Sequence, residues 1–301
     1  MTNRLPVGKA DGLSFALGAY SIWGVLPLYF YFLLSVPALE LIGWRVIFTL
    51  PVCLLVVIAR RQGRQLRFAI TNPKVLLYLV ASATLIGTNW LVYVYSVQSG
   101  HVLSASLGYY INPLVNVLLG TVFLRERLTR VQWIAVALAG AGVSILAFGA
   151  LDTLWISLTL AFSFGTYGLV RKLAPVESLP GLTIETLIWM PIAVAIVGWH
   201  ATGPDGGAMN HGWVSALLIA GTGIMTATPL LLFATAARRM DYSLLGFVQF
   251  LAPTMAFFIG LFVFEERLQT VQLVCFVLIW MAIGLFSWDL FTRRRVQVAV
   301  G

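Results

Sequence analysis

A heptapeptide near the middle of the chain, ERLTRVQ at Glu126 to Gln132, returns close to its end as ERLQTVQ at Glu266 to Gln272. The same offset of 140 residues sets Pro51 on Pro191, Thr88 on Thr228, Leu91 on Leu231, Pro113 on Pro253 and Gly120 on Gly260. It needs no gap from about Arg45 to Ser144. One register held over that length, with helix-punctuating Pro and Gly at matched positions, marks an internal duplication rather than a chance match. Between the two heptapeptides lie five apolar stretches, each close to the length of about 20 residues that crosses a bilayer as a helix. An odd number of crossings turns the second copy upside down, and inverted repeats are a transporter architecture.

The whole chain holds ten such stretches, with approximate cores at residues 13–33, 38–58, 75–97, 102–124, 131–149, 153–170, 181–199, 213–236, 243–264 and 271–290. Only 10% of its residues are charged and 60% are apolar, whereas a soluble domain carries about a quarter charged residues. The runs are continuously apolar rather than alternating, which excludes a β-barrel. The first is too long and too poorly flanked to be a cleaved signal. The expected fold is therefore all-α and integral to the membrane: ten transmembrane helices in two inverted five-helix repeats, residues 1–150 and 151–301, around a central cavity.

A net charge of +8 raises the question of nucleic acid. The placement of the charge answers it. Arg4 and Lys9 precede span one; Arg60, Arg61, Arg64, Arg67 and Lys74 fill the second connection; Arg125, Arg127 and Arg130 the fourth. Arg171 and Lys172 follow span six, Arg238 and Arg239 span eight, and Arg293, Arg294 and Arg295 span ten, so 17 of 19 basic residues fall on one side. The positive-inside rule puts that side, with both termini, in the cytoplasm of a bacterial-type plasma (inner) membrane. No nucleic-acid partner is expected, only membrane lipid and a small-molecule solute. The two heptapeptides carry the inversion in their charge, the first sitting in a basic turn and the second in an acidic one.

Catalytic and cofactor signatures are missing. There is no GxxxxGK[ST] phosphate loop, no HExxH and no GxSxG. Cys53 and Cys275 fall mid-span and read as small buried apolar residues, while His101, His200 and His211 lie near span ends and read as interfacial. Neither a metal nor a cofactor is expected, nor an enzyme.

The run GYYINPLVNVLLGTVFLRERLTRVQW at Gly108 to Trp133 resembles the signature of RarD-type proteins, a branch of the EamA family in the drug/metabolite transporter superfamily. LAPTMAFFIG followed by EERL resembles the family's second copy, so the resemblance covers essentially the whole chain. It implies ten helices, a five-plus-five inverted repeat, a solute cavity between the halves, and a role as permease of a drug or small metabolite.

A carrier must show its solute polar groups while hiding them from lipid, because an unsatisfied polar atom in hydrocarbon costs several kcal/mol. Deep polar residues concentrate in spans three, four and nine: Asn89, Tyr93, Tyr109, Asn112, Asn116 and Gln249. Tyr109, Asn112 and Asn116 follow i, i+3, i+7 spacing and are expected on one face. Pro113 and its counterpart Pro253 are expected to kink their spans and bracket one cavity. Aromatic walls are expected from Tyr20 and Trp23 in span one, Trp90 in span three, and Phe164 and Tyr167 in span six. SIWG in span one matches GTYG in span six at an offset of 144.

Arg45 and Glu185 occupy equivalent positions of the two copies inside spans two and seven, and an intramembrane charge is a functional candidate by default. Each is expected to hold one gate, or Arg45 to attract a solute carboxylate; snorkelling to the interface is the competing reading. Any proton coupling would pass through Glu185 or Glu40, of which Glu40 is expected to be solvated. Small residues in span five, Ala137 with Ala141 and Gly140 with Ser144, suggest packing against span ten or another protomer. Together these point to a secondary carrier of a small organic solute by alternating access, with a lipid or lipid-linked headgroup flippase as the alternative.

Overall fold

A computed structural model describes residues 11–203, 206–210, 212–265 and 270–300. Among these there is no β-strand. The helices are α1 (Asp11–Tyr31), α2 (Ala38–Ala59), α3 (Gly63–Thr71), α4 (Pro73–Gln98), α5 (Val102–Val122), α6 (Arg130–Ala147), α7 (Leu154–Leu173), α8 (Ser178–Ala201), α9 (Trp213–Arg239), α10 (Tyr242–Gln249), α11 (Leu251–Phe262) and α12 (Thr270–Val300). Nine stretches of the described residues are long and apolar enough to cross a membrane: α1, α2, α4, α6, α7, α8, α9, α10 with α11, and α12 as far as Leu290. α5 is a further 21-residue helix without a charged residue. α3, with nine residues, is too short to cross at 1.5 Å per residue. It carries Arg64 and Arg67 beside exposed Phe68 and Ile70.

The packing partners come in exchangeable sets. α1 lies against α9, and α4 against α7; α5 lies against α7, and α1 against α11. α2 pairs with α8, α5 with α10, and α6 with α12. Directions follow the same exchange. Gly18 meets Leu232 and Gly12 meets Met240, so α1 and α9 are antiparallel; Asn89 reaches Leu160 and Tyr95 meets Trp155, so α4 and α7 are antiparallel too. Gly108 meets Leu160 and Gly165 meets Val115, a parallel pair, as are α1 and the α10–α11 stretch, where Tyr20 reaches Gln249 and Gly24 meets Met255.

The first heptapeptide has a structural task. Arg125 takes a left-handed φ of 56°, and Glu265, 140 residues on, takes 53°. The Glu126 amide then donates back to the Gly120 carbonyl at 3.0 Å, closing the end of α5. Thr129 and Gln132 exchange bonds as a capping box that starts α6. The Glu126 carboxylate accepts from the amides of Tyr242 and Ser243 at 2.6 and 2.8 Å and from the Ser243 hydroxyl at 2.7 Å, capping α10 from across the bundle. Glu266, Arg267 and Leu268 of the second copy lie outside the described residues, as does His211. Glu126→Ala strips the α10 amides of their acceptor and is expected to cost about 1–2 kcal/mol, read as a lowered unfolding midpoint in detergent, with Glu126→Gln in between.

Two expectations change. Pro113 does not break α5, whereas its counterpart stretch parts at Phe250, whose amide turns to the Phe247 carbonyl at 3.3 Å between α10 and α11. Phe250 is wedged there beside Phe247, itself stacked on Phe286 of α12 at 3.8 Å, so the break sits where large rings fill the space. In α6, the face on α12 is made by Ala135, Ala139, Gly142 and Val143, with Gly142 against Cys275 and Leu278. Ala137, Ala141 and Ser144 stay exposed, and Gly140 looks onto open space.

Candidate functional site

A small cavity of about 10 Å³, about the room one water needs, lies between α2, α4, α7, α8 and α9. Of its eleven lining residues, eight form four pairs 140 positions apart: Val46 with Thr186, Thr49 with Trp189, Ile86 with Thr226, and Trp90 with Leu230. Tyr167, Leu182 and Glu185 complete the wall. Their polar atoms are mostly held by backbone. Thr186 donates to the Leu182 carbonyl at 2.8 Å, Thr49 to that of Gly223 at 3.4 Å, and the Trp189 indole to that of Ala83 at 2.8 Å.

Arg45 stands beside Trp90 and Thr226 of this wall. Its Nε donates to Thr226 Oγ1 at 3.0 Å. Its guanidinium lies 5.4 Å from the Phe30 ring centroid and 5.9 Å from that of Trp90, where aromatic faces replace part of the lost hydration. Tyr93 and Tyr109 flank it with their rings 6.2 Å apart. Phe30 also lines an open vestibule of about 610 Å³ with Pro27, Tyr31, Leu34, Val263, Phe264 and Glu265. Arg45 therefore touches one wall residue of each recess, Thr226 of the inner one and Phe30 of the vestibule.

Glu185 forms the opposite arrangement. Arg171 Nη1 lies 3.3 Å from its Oε1, Ser82 donates to the same oxygen, and the Tyr167 hydroxyl donates to Oε2 at 3.4 Å. Arg171 Nη2 donates to the Ser178 carbonyl at 2.8 Å. Acid and base are 3% and 1% exposed, so Glu185 does not snorkel. Arg171, expected on a cytoplasmic loop, instead ends α7 folded inward, and Gly181 on α8 makes that possible: a Cβ there would sit 2.0 Å from Nη1. Glu40 is likewise buried rather than solvated, at 2% exposure. It accepts from the Trp44 indole at 3.1 Å and the Ala208 amide at 2.8 Å, tying α2 to the α8–α9 connection.

The amide residues gather elsewhere. Asn116 Nδ2 and the Tyr20 hydroxyl both donate to Gln249 Oε1, at 2.8 and 3.3 Å. Asn112 donates to the Ala161 carbonyl at 2.8 Å, and Asn89 to Leu160 and Ser163 at 2.9 and 3.1 Å. Asn112 and Asn116 leave buried Oδ1 atoms without a partner. Tyr109 does not share their face but turns to Tyr93 on α4. Tyr20, Trp23, Phe164 and Tyr167 pack around Phe233, with Trp23 5.6 Å from Phe164 and Tyr167 stacked on Phe233 at 6.1 Å.

Among the residues singled out from the sequence, Trp90, Tyr167 and Glu185 line the small cavity and Arg45 adjoins it, while the amides gather elsewhere, between α1, α4, α5, α7 and α10. Thr49, Thr186, Trp189, Thr226, Ser82 and Arg171 escaped notice. The signal was available for the first four: they are polar positions of spans two, seven and eight related by the 140-residue offset to other wall residues.

A bundle of helices long and apolar enough to cross a membrane defines an integral membrane protein. The chain belongs to the EamA-like transporter family, in its RarD branch: residues 11–148 match that family's profile. Protein RarD of Escherichia coli (strain K12) is 41% identical over 290 residues, covering 95% of this chain and 97% of that one. An uncharacterized transporter of Pseudomonas aeruginosa is 43% identical over 94% of this chain and 95% of its own. The chloramphenicol-sensitive protein RarD of the same organism is 30% identical over 97% and 99%. A solved crystal structure sharing 16% sequence identity superposes with a TM-score of 0.72 over 92% of this chain and 97% of that one, a likeness of fold.

Proposed function

We propose that this protein is a secondary carrier of a small organic solute, built from ten spans in two inverted units, residues 1–150 and 151–301, with α5 as the tenth span and both termini cytoplasmic. The observation that carries this reading is the composition of the cavity wall. Pairs of residues 140 apart meet across one recess, as they must if a pseudo-twofold axis in the membrane plane passes through it. The exchange of helix partners and the matched turns at Arg125 and Glu265 support the same axis.

In this reading the recess is the solute site in its occluded form. Arg45 with Phe30 and Trp90 closes it toward the vestibule, and Glu185 with Arg171, Ser82 and Tyr167 closes it toward the cytoplasm. Rocking of the halves opens one closure while the other stays shut. Asn112, Asn116, Gln249, Tyr20, Trp23 and Asn89 lie along the seam between the halves, and the unpaired Oδ1 atoms of Asn112 and Asn116 would meet solute or water when the seam parts. Tyr93, Tyr109 and Trp90 form the outer approach.

Single cysteines, introduced after Cys53 and Cys275 are replaced by Ala, test this with a membrane-impermeant maleimide. Arg125→Cys is expected to react only from the cytoplasmic face, Glu265→Cys only from the other, and Thr226→Cys from both as the carrier cycles. Labelling of the first two from one face would overturn the inverted repeat. A Thr226→Cys that reacts from one side alone would overturn alternating access. Once a transported solute is in hand, Asn112→Ala and Gln249→Ala are each expected to lower flux without reducing membrane insertion.

A further inference from the structure

We infer that the outer site selects a monoanionic carboxylate attached to a flat apolar body, with Arg45 as the residue that binds the carboxylate; this rests on the carrier reading above and specifies its substrate class. The argument begins with charge balance. Glu185 and Arg171 neutralise each other inside the bundle. Glu40, five residues before Arg45 on α2, is engaged by Trp44 and the Ala208 amide. Arg45 forms no ion pair among the described residues, and its one hydrogen bond uses Nε.

That leaves the Arg45 guanidinium held by a hydroxyl and two rings, with its two Nη groups without a protein acceptor among the described residues. An intramembrane cation without a counter-ion is costly, and the free end of a guanidinium presents two parallel donors that match the two oxygens of a carboxylate. A single charge calls for a single negative one. A dianion would import a surplus charge into a site that has no second free cation among the described residues.

The surroundings specify the rest of the molecule. Phe30 of α1 and Trp90 of α4 hold their rings 5.4 and 5.9 Å from the guanidinium, and Tyr93 of α4 and Tyr109 of α5, with ring centroids 6.2 Å apart, stand within reach of its charge. Flat apolar groups stack on such walls. Tyr93 and Tyr109 are 38% and 41% exposed. Phe30 links the site to the vestibule, whose volume admits a molecule of that size.

The test uses the full-length purified protein in detergent with three probes of one shape: 3-phenylpropionate, its neutral amide 3-phenylpropanamide, and the cation 3-phenylpropylamine. Binding is read by the thermal unfolding midpoint and by tryptophan fluorescence. Only the carboxylate is expected to raise the midpoint, since a ligand of the folded state stabilises it in proportion to occupancy. Arg45→Gln is expected to weaken its binding about 10–100-fold, the worth of a hydrogen-bonded charge pair, and Arg45→Lys to retain part of it. Equal binding of amide and carboxylate overturns the inference even where Arg45→Gln does not fold, and so does unchanged affinity in a folded Arg45→Gln. Displacement of 3-phenylpropionate by phosphatidylglycerol but not phosphatidylcholine in the micelle assigns the site to a lipid headgroup and overturns the choice of a soluble solute. The cysteine experiment above uses no ligand, so failure of the carrier reading and failure of the substrate class are separate results.

Discussion

Glu185→Ala is expected to lower the stability of the folded protein by about 3–5 kcal/mol, because it leaves the Arg171 guanidinium buried without a counter-charge. The geometry makes escape difficult. Arg171 is 1% exposed, lies against Gly181, and is tied to the Ser178 carbonyl at 2.8 Å. Ser82 and Tyr167 would lose the oxygen to which they donate. Replacing both charges with apolar residues of similar size, Glu185→Leu with Arg171→Met, is expected to recover most of the loss, since a buried pair roughly breaks even against well-packed hydrophobic groups. Denaturant unfolding in mixed micelles gives the comparison. A single Glu185→Ala variant as stable as the wild type would show that the two groups are not coupled. The double variant also separates architecture from transport: if this pair is the inner closure, it should fold well and carry solute poorly.

Gly223→Ala is expected to cost about 3 kcal/mol, the upper end of ordinary overpacking. A Cβ at Gly223 would stand 2.4 Å from both the carbonyl carbon and the oxygen of Phe48. Both obstructing atoms are backbone, so relief requires α2 and α9 to move apart. That motion would pull Thr49 from the Gly223 carbonyl and strain the Arg45 to Thr226 bond, since all four residues lie on the same seam. Gly140→Ala is the matched control. Its Cβ would meet nothing within 4 Å, and better helix propensity should make it neutral or stabilising by up to about 1 kcal/mol. Equal midpoints for the two variants would contradict the close approach of α2 and α9.

How much of this was legible beforehand differs by level. The helices fall where the apolar runs lie, because twenty apolar residues in lipid can satisfy their backbone only within a helix or a closed barrel. The heptapeptide marked a duplication, yet its physical use could not be read from it. Glu126 caps α10, which begins 116 residues later in the chain, and no local pattern announces a cap delivered from another helix. The amide residues were correctly located inside spans, but their partners proved to be each other and carbonyls of α7.

Faces were the hardest to read. In a soluble helix the apolar stripe marks the core, but lipid is as apolar as Leu, so a membrane helix looks alike on both sides. In α2, Cys53 is fully buried while Leu55 is 67% exposed, and nothing in their chemistry sorts them that way. The same ambiguity hid the face of α6 that meets α12. Arg171 was misplaced because a basic residue at a span's end usually faces water; only the missing side chain at Gly181, from another helix, turns it inward.

From the sequence alone followed the class of molecule: a helical chain crossing the membrane many times, of a recognisable transporter family. Hydropathy, charge placement and the repeat are properties of order along the chain, and the bilayer reads them directly. Which polar groups meet was decided by the tertiary structure. The Glu185 and Arg171 pair, the isolation of Arg45 among rings, and the recess walled by residues 140 apart all depend on how helices rotate about their axes, and in lipid that rotation is set by close packing between surfaces rather than by any contrast the sequence displays.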